Sequence, residues 1–186
     1  MRSYERPAKL TELAFIAIGS NIDPEVNLPR AVEQLRQLGK LQRVSQVYQT
    51  PPIGGRDQPD FLNAAVLIEV ERSAEALRSD LRRIEDDLGR IRTTDKYAPR
   101  TIDLDLVLFG SQIVSGPGHT VPDPEITRRA HLAVPLADLA PDFTHPETSE
   151  PLRVIAERLR SGSNLRARPD VTVKLRALQE TPGGSN

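Results

Sequence analysis

The sequence predicts an α+β fold on three observations. Phe61 to Val70 and Thr101 to Phe109 alternate along the chain with the period of a half-buried strand. Two further segments carry apolar residues at helical spacing and stop at a glycine, Gly39 and Gly89. Leu13 to Ile18 is a short apolar run closed by Gly19, which suits a buried strand better than a helix of that length. With a weaker strand between Leu41 and Gln49, the order becomes β-α-β-β-α-β, the ferredoxin-like order, with helices packed on an antiparallel sheet.

After the first strand, Asp23-Pro24 reads as N-cap and first helical position. Leu28, Ala31, Val32, Leu35 and Leu38 form the apolar stripe, and Gly39 stands where a left-handed residue ends a helix. Thr50 to Gly55 is an extended loop, because neither Pro51 nor Pro52 can donate to a sheet ladder. On the next strand Leu62, Ala64, Val66, Ile68 and Val70 share one face, leaving Phe61, Asn63, Ala65 and Leu67 on the other. Ser73 caps a helix whose stripe is Ala74, Leu77, Leu81, Ile84 and Leu88.

A polar loop from Arg90 to Arg100 leads into the Thr101 to Phe109 strand, which is expected to turn Ile102, Leu104, Leu106 and Leu108 into the core. Gly110-Ser111 turns the chain toward Ile113-Val114. Short helices are expected near Glu125 to Arg129 and from Leu152 to Leu159, and Val171, Val173 and Leu175 alternate like an edge strand. Residues 1–160 read as one domain and 161–186 as a C-terminal extension, disordered in part from Thr181.

Composition excludes several classes of chemistry. The 186 residues include no cysteine, so there is no disulfide scaffold, thiolate zinc site, iron–sulfur cluster or cysteine nucleophile. Only three histidines are present, and any metal is expected on oxygen ligands. The 25 basic and 26 acidic residues argue against a general polyanion binder. No stretch approaches the ~20 apolar residues of a membrane span. A cytoplasmic protein with neither nucleic-acid nor membrane partner is expected.

The sharpest chemical signal is Asp103-Leu104-Asp105. On a strand the two aspartates project from one face, roughly 7 Å apart at Cα. Alone, such a pair describes a solvated strand face. Asp is depleted in strands, however, and the preceding loop gathers Arg90, Arg92, Lys96 and Arg100. Carboxylates beside guanidinium forks suit a divalent cation and a polyphosphate, Mg²⁺ commonly taking one or two carboxylates with phosphate and water. The P-loop, the G-x-G-x-x-G turn, the protein-kinase motifs, H-E-x-x-H and G-x-S-x-G are all missing.

The run from Lys96 to Val107 (Lys-Tyr-Ala-Pro-Arg-Thr-Ile-Asp-Leu-Asp-Leu-Val) resembles the signature of the 6-hydroxymethyl-7,8-dihydropterin pyrophosphokinase family. Ala17 to Asn21, Tyr48 to Pro52, Asp57 to Ala64, Ile84-Glu85, Gly89-Arg90, Val121-Pro122, Pro135-Leu136 and Ala140-Pro141 resemble family motifs in the same order. The similarity spans about Leu13 to His145. It implies transfer of the β,γ-pyrophosphate of ATP to the pterin hydroxymethyl oxygen with release of AMP, by a monomer acting on small molecules.

By that resemblance Asp103 and Asp105 hold two Mg²⁺ ions. Arg92 and Arg100 clamp phosphates, and Arg90 closes over the reactants with the loop. Glu85, Leu106, Thr120 and Arg129 join the ATP site. Phe61 and Asn63 bind the pterin, with Thr50, Pro51 and the backbone near Ile53 closing its edge and Tyr97 acting as an aromatic lid.

The chain departs from the family at Asp123, where His is common, and at His131, where a stacking aromatic is expected; altered ATP affinity follows. Two readings compete with catalysis of this transfer: a non-catalytic pterin- or nucleotide-binding member, and transfer of a single phosphoryl group. An RNA-binding module of the same element order is disfavoured by 4% aromatic content and by aspartates where stacking rings would be needed.

Overall fold

A computed structural model describes residues 11–52, 54, 57–95, 97–116 and 118–180. Its sheet is built from β1 (Glu12–Ser20), β2 (Lys40–Val44), β3 (Tyr48–Thr50), β4 (Phe61–Val70), β5 (Asp103–Phe109) and β8 (Arg166–Ala167). The spatial order is β5-β1-β4-β3-β8, with β2 also on β4 and every pairing antiparallel. The weak strand of the sequence is thus two short ones sharing a neighbour, which makes the sheet ferredoxin-like. A separate hairpin pairs β6 (Val114–Gly116) with β7 (His119–Val121).

Helices α1 (Pro24–Leu35) and α2 (Ala74–Asp87) cover one sheet face. Their stripes meet Ile16, Ile18, Leu62, Val66 and Ile68 in the main core. Ser73 Oγ accepts from the Ala76 amide at 3.2 Å, closing the N-terminus of α2, and Gly89 follows at φ +77°. The other face carries α3 (Ala130–Leu139) and α4 (Leu152–Arg160) over a second core with Phe15, Leu67 and Leu108.

Several expectations are corrected. Asp23 makes no side-chain cap and lies at φ 44°; its carbonyl instead accepts from the amides of Val26 and Asn27 at 3.0 Å. Gly39 is not left-handed; a Cβ there would collide with the Glu69 carbonyl oxygen and lie 2.8 Å from Val70 Cγ1, so close strand approach demands the glycine. Leu108 faces the second core rather than joining Leu104 and Leu106. The cause is a bulge: β1 pairs Ile16 with Leu106 but Phe15 with Leu108, and Val107 is the extra residue. The expected helix at Glu125 to Arg129 is a 3₁₀ turn over Pro124–Thr127. The longer α3 that follows was masked in the sequence by Pro135.

The largest correction is C-terminal, where 171–175 is not a strand. It belongs to α5 (Pro169–Glu180), with Val171 and Leu175 at 0% exposure and Val173 at 69%, the i, i+4 pattern of a helix. α5 packs on α1 and β2, its apolar face entering the main core, and the strand that does form is β8. Residues 181–186 lie outside the described residues.

Candidate active site

Sheet register assembles the site. Tyr48 of β3 pairs with Asn63 of β4, Asn63 with Gly19 of β1, and Gly19 with Asp103 of β5. The next same-face row is Ala65, Ala17 and Asp105. Directly paired residues share a face, so three strands deliver an amide, a glycine and two carboxylates to one surface. Along the same face Phe15, Leu67 and Leu108 are sealed beneath α3 and α4. One end of the face is core and the other is open cleft.

Two cavities meet on this face; the smaller of them, about 190 Å³, is lined by Ala17, Gly19, Thr50, Pro51, Gln58, Phe61, Asn63, Tyr97, Arg100, His131 and Leu132, among others. Asn63 Nδ2 donates to Thr50 Oγ1 at 2.8 Å, which fixes the amide. A Cβ on Gly19 would sit 3.1 Å from Asn63 Oδ1, so the glycine keeps that oxygen accessible. Asn21 ties residues of the lining together. Its Oδ1 accepts from the Arg100 amide at 2.8 Å, its Nδ2 donates to Gln58 Oε1 and the Pro59 carbonyl at 3.1 Å, and Gln58 Nε2 donates to the Tyr97 carbonyl at 3.1 Å. From the first turn of α3, His131 and Leu132 join the lining. Burial lowers the His131 pKa, with Arg129 adding to it, so the ring is neutral near pH 7.

The larger cleft, about 630 Å³, runs along the outer edge of β5 between α2 and the β6–β7 hairpin. Arg78, Arg82 and Glu85 line it from α2, His119 and Thr120 from β7, and Arg90, Leu106 and Asp123 complete the wall. Of all these lining residues, only Asp103 and Asp105 belong to both cavities.

The two carboxylates differ in their neighbours. Asp103 is gripped by Arg90 and Arg100, and Arg90 also donates to the Ile102 carbonyl at 2.7 Å and pairs with Glu85 at 3.2 Å. Asp105 makes no hydrogen bond or ion pair among the described residues. Its side chain opens to cleft water, yet protein crowds the cleft around it. That desolvation, followed by the charges of Asp103, Glu85 and Asp123, pushes its pKa up to about 7. Burial likewise raises Glu85, opposed by the Leu104 amide that donates to its Oε1 at 2.8 Å. A proton or a cation relieves such converging negative charge.

Most sequence-predicted residues converge here. Thr50, Pro51, Phe61, Asn63, Tyr97, His131 and Arg100 line the smaller cavity, and Glu85, Arg90, Leu106, Thr120 and Asp123 the larger. Arg92 instead pairs with Glu85 at 2.7 Å and with Asp86, and Arg129 pairs with Glu125 at 2.7 Å. Asp123 caps the 3₁₀ turn, accepting from the Glu125 amide at 2.8 Å. Ile53 and Lys96 lie outside the described residues. Sequence reasoning passed over Gln58 as a lining residue, and Arg78, Arg82 and His119 altogether. Arg78 and Arg82 share the helical face of Glu85 by i, i+4 and i+7 spacing, a signal present in the sequence.

The sequence model of the 7,8-dihydro-6-hydroxymethylpterin-pyrophosphokinase family matches residues 15–141. The chain is 37% identical over 138 residues to the 2-amino-4-hydroxy-6-hydroxymethyldihydropteridine pyrophosphokinase of Haemophilus influenzae, covering 73% of this chain and 86% of that protein. The Bacillus subtilis enzyme of the same name is 36% identical over 143 residues, 75% and 85% of the two chains. In three dimensions the chain is similar to the HPPK-DHPS protein of Plasmodium falciparum, with a TM-score of 0.68 at 13% identity; the match covers 84% of this chain and 44% of that longer one, and shows the fold. Ordered motifs, a carboxylate pair shared by two cavities, and relatives matched over most of their length place this chain in the 7,8-dihydro-6-hydroxymethylpterin-pyrophosphokinase family.

Proposed function

We propose that this chain carries out its family's reaction, transferring the β,γ-pyrophosphate of ATP to the hydroxymethyl group of 6-hydroxymethyl-7,8-dihydropterin in folate biosynthesis, with the pterin in the smaller cavity and ATP in the larger. The observation that carries the assignment is that Asp103 and Asp105 alone line both cavities. A flat, amide-bearing bicycle suits Phe61, His131 and the fixed Asn63 amide. A polyphosphate suits a polar cleft with guanidinium groups on its wall. In this reading the pterin hydroxymethyl oxygen bonds to the β-phosphorus as the α,β-bridging oxygen departs with AMP.

The residues fit Mg²⁺ in donor type. Among the described residues no group of three or more His, Cys, Asp or Glu forms a cage, as expected for a cation that takes one or two carboxylates with phosphate and water. Asp105 offers an unpaired carboxylate; Asp103 would exchange guanidinium contacts for the ion, freeing Arg90 and Arg100 to turn to phosphate. Bound there, Mg²⁺ neutralises charge on the transferred group. Two ions, a monomeric state and a cytoplasmic location complete the proposal. No helix among the described residues is long and apolar enough to cross a membrane.

Nucleotide product analysis with ATP, Mg²⁺ and the pterin tests the reading. AMP formed only with pterin and metal, and lost in Asp103→Ala, is the expected result. ADP would show single phosphoryl transfer, and tight pterin binding without turnover would show a non-catalytic binder.

A further inference from the structure

Two cations line the larger cleft without an ion pair among the described residues. Arg78 and Arg82 lie one turn apart on α2 and both line it. Among the described residues, neither makes a hydrogen bond or an ion pair. The other arginines of the site are engaged: Arg90 holds Asp103, Glu85 and the Ile102 carbonyl, Arg92 holds Glu85 and Asp86, and Arg100 holds Asp103. The lining from the hairpin and the turn after it, Gly116, Gly118, His119, Thr120, Asp123 and Pro124, includes no arginine or lysine.

Arg78 is half-buried. A guanidinium partly withdrawn from water without a partner costs free energy, and here burial, with the like charge of Arg82 added, lowers its pKa. Glu75, one turn earlier on α2, acts on Arg78 through its charge alone, and Asp80 is taken by Arg72 and Arg83. Arg78 lines the cleft, where Asp105 likewise acts on it through its charge.

We propose that Arg78 and Arg82 form a cationic rail on α2 that grips the polyphosphate of the nucleotide, opposite the acidic pair of β5. The inference rests on the reading of this cleft as the nucleotide site. Planar forks one helical turn apart match successive phosphate groups. Arg78, the more buried of the two, contributes more, because its contact is less screened by water. The rail also supplies positive charge to a wall where Asp123 supplies none.

Equilibrium titration calorimetry tests this with α,β-methylene-ATP, whose scissile bridge cannot be cleaved, and with inorganic tripolyphosphate and AMP as separate probes, all with Mg²⁺. Arg78→Ala is expected to weaken α,β-methylene-ATP and tripolyphosphate about tenfold, a change of about 1.4 kcal/mol. AMP and pterin affinities should stay within about twofold, the latter showing that the variant is folded. Arg82→Ala should lose about threefold, and Arg78→Lys should recover part of the loss, keeping charge without the fork.

Tripolyphosphate affinity unchanged in both alanine variants would overturn the rail while leaving the proposed function intact. So would a loss confined to AMP. Wild-type protein that binds pterin but neither triphosphate probe would overturn the nucleotide assignment of the cleft and the rail with it.

Discussion

In the smaller cavity the amide side chains already have partners, Asn63 with Thr50 at 2.8 Å and Gln58 with Asn21 and the Tyr97 carbonyl at 3.1 Å. In the larger cleft Arg78 and Arg82 have none among the described residues, nor has Asp105 where the two spaces meet. The difference matches what each space would receive. A rigid planar ligand gains most from a pocket whose hydrogen-bonding groups are held before it arrives, since little ordering remains to be done on binding. A metal–polyphosphate brings several charges, and a cleft with opposed unpaired charges exchanges one set of electrostatic contacts for another. The first space is specified by shape and an amide, the second by charge.

The largest expected effect falls where the two spaces meet. Asp105→Asn should lower the rate of AMP formation by about a thousandfold or more if, as proposed, Asp105 holds the cation, since a carboxylate in that role has no neutral substitute. Pterin affinity measured by fluorescence should change less than about twofold; a comparable loss of pterin binding would show that the cavities are not separable.

Next is Asn63→Ala, expected to weaken pterin binding about 10- to 100-fold, the range of 1–3 kcal/mol for an unmatched buried hydrogen-bonding group, with nucleotide affinity unaltered. Gly19→Ala sharpens the same point. Its methyl, 3.1 Å from Asn63 Oδ1, should cost pterin several-fold and spare the nucleotide.

Salt distinguishes the cavities without mutation. Raising ionic strength from about 50 to about 200 mM should weaken α,β-methylene-ATP several-fold and pterin by less than about twofold. Equal sensitivity would contradict the contrast.

The smallest effect lies outside both cavities. His145 is 1% exposed, and its Nδ1 accepts from the amides of Glu147 and Thr148 at 3.3 Å. Burial lowers its pKa from the ordinary 6.5. The unfolded chain therefore takes up the proton first, and stability should fall as pH drops below about 6.5 until the folded-state value is reached. Urea midpoints in His145→Gln should show a shallower decline between pH 7.5 and 5.5, while ligand affinities at pH 7.5 stay unchanged.

Much of this was legible in the sequence. Phe61 to Val70 was readable residue by residue because a long strand with one face buried has its side-chain alternation enforced by the core. The Asp103-Leu104-Asp105 triplet stood out because two acids on one strand face need an external reason. The second core was less legible. Pro135 concealed α3, and the bulge at Val107 reversed Leu108, since a one-residue insertion depends on the partner strand's register and leaves no local signal. At the C-terminus, Val171 and Leu175 fit either period, and packing against α1 and β2 decided for a helix.

By itself, the sequence determined the order of the core elements from β1 to β5, the strand carrying the acidic pair and the aromatic–amide partnership of Phe61 and Asn63, because each follows from side-chain periodicity within one element. Tertiary structure alone decided that Asn63, Gly19 and Asp103 lie in one row. It also decided that Arg92 is held by Glu85 and Asp86 while Arg78 and Arg82 stand unpaired beside the cleft. The physical reason is that register and charge pairing are relations between segments distant in sequence, set when the strands and helices pack together.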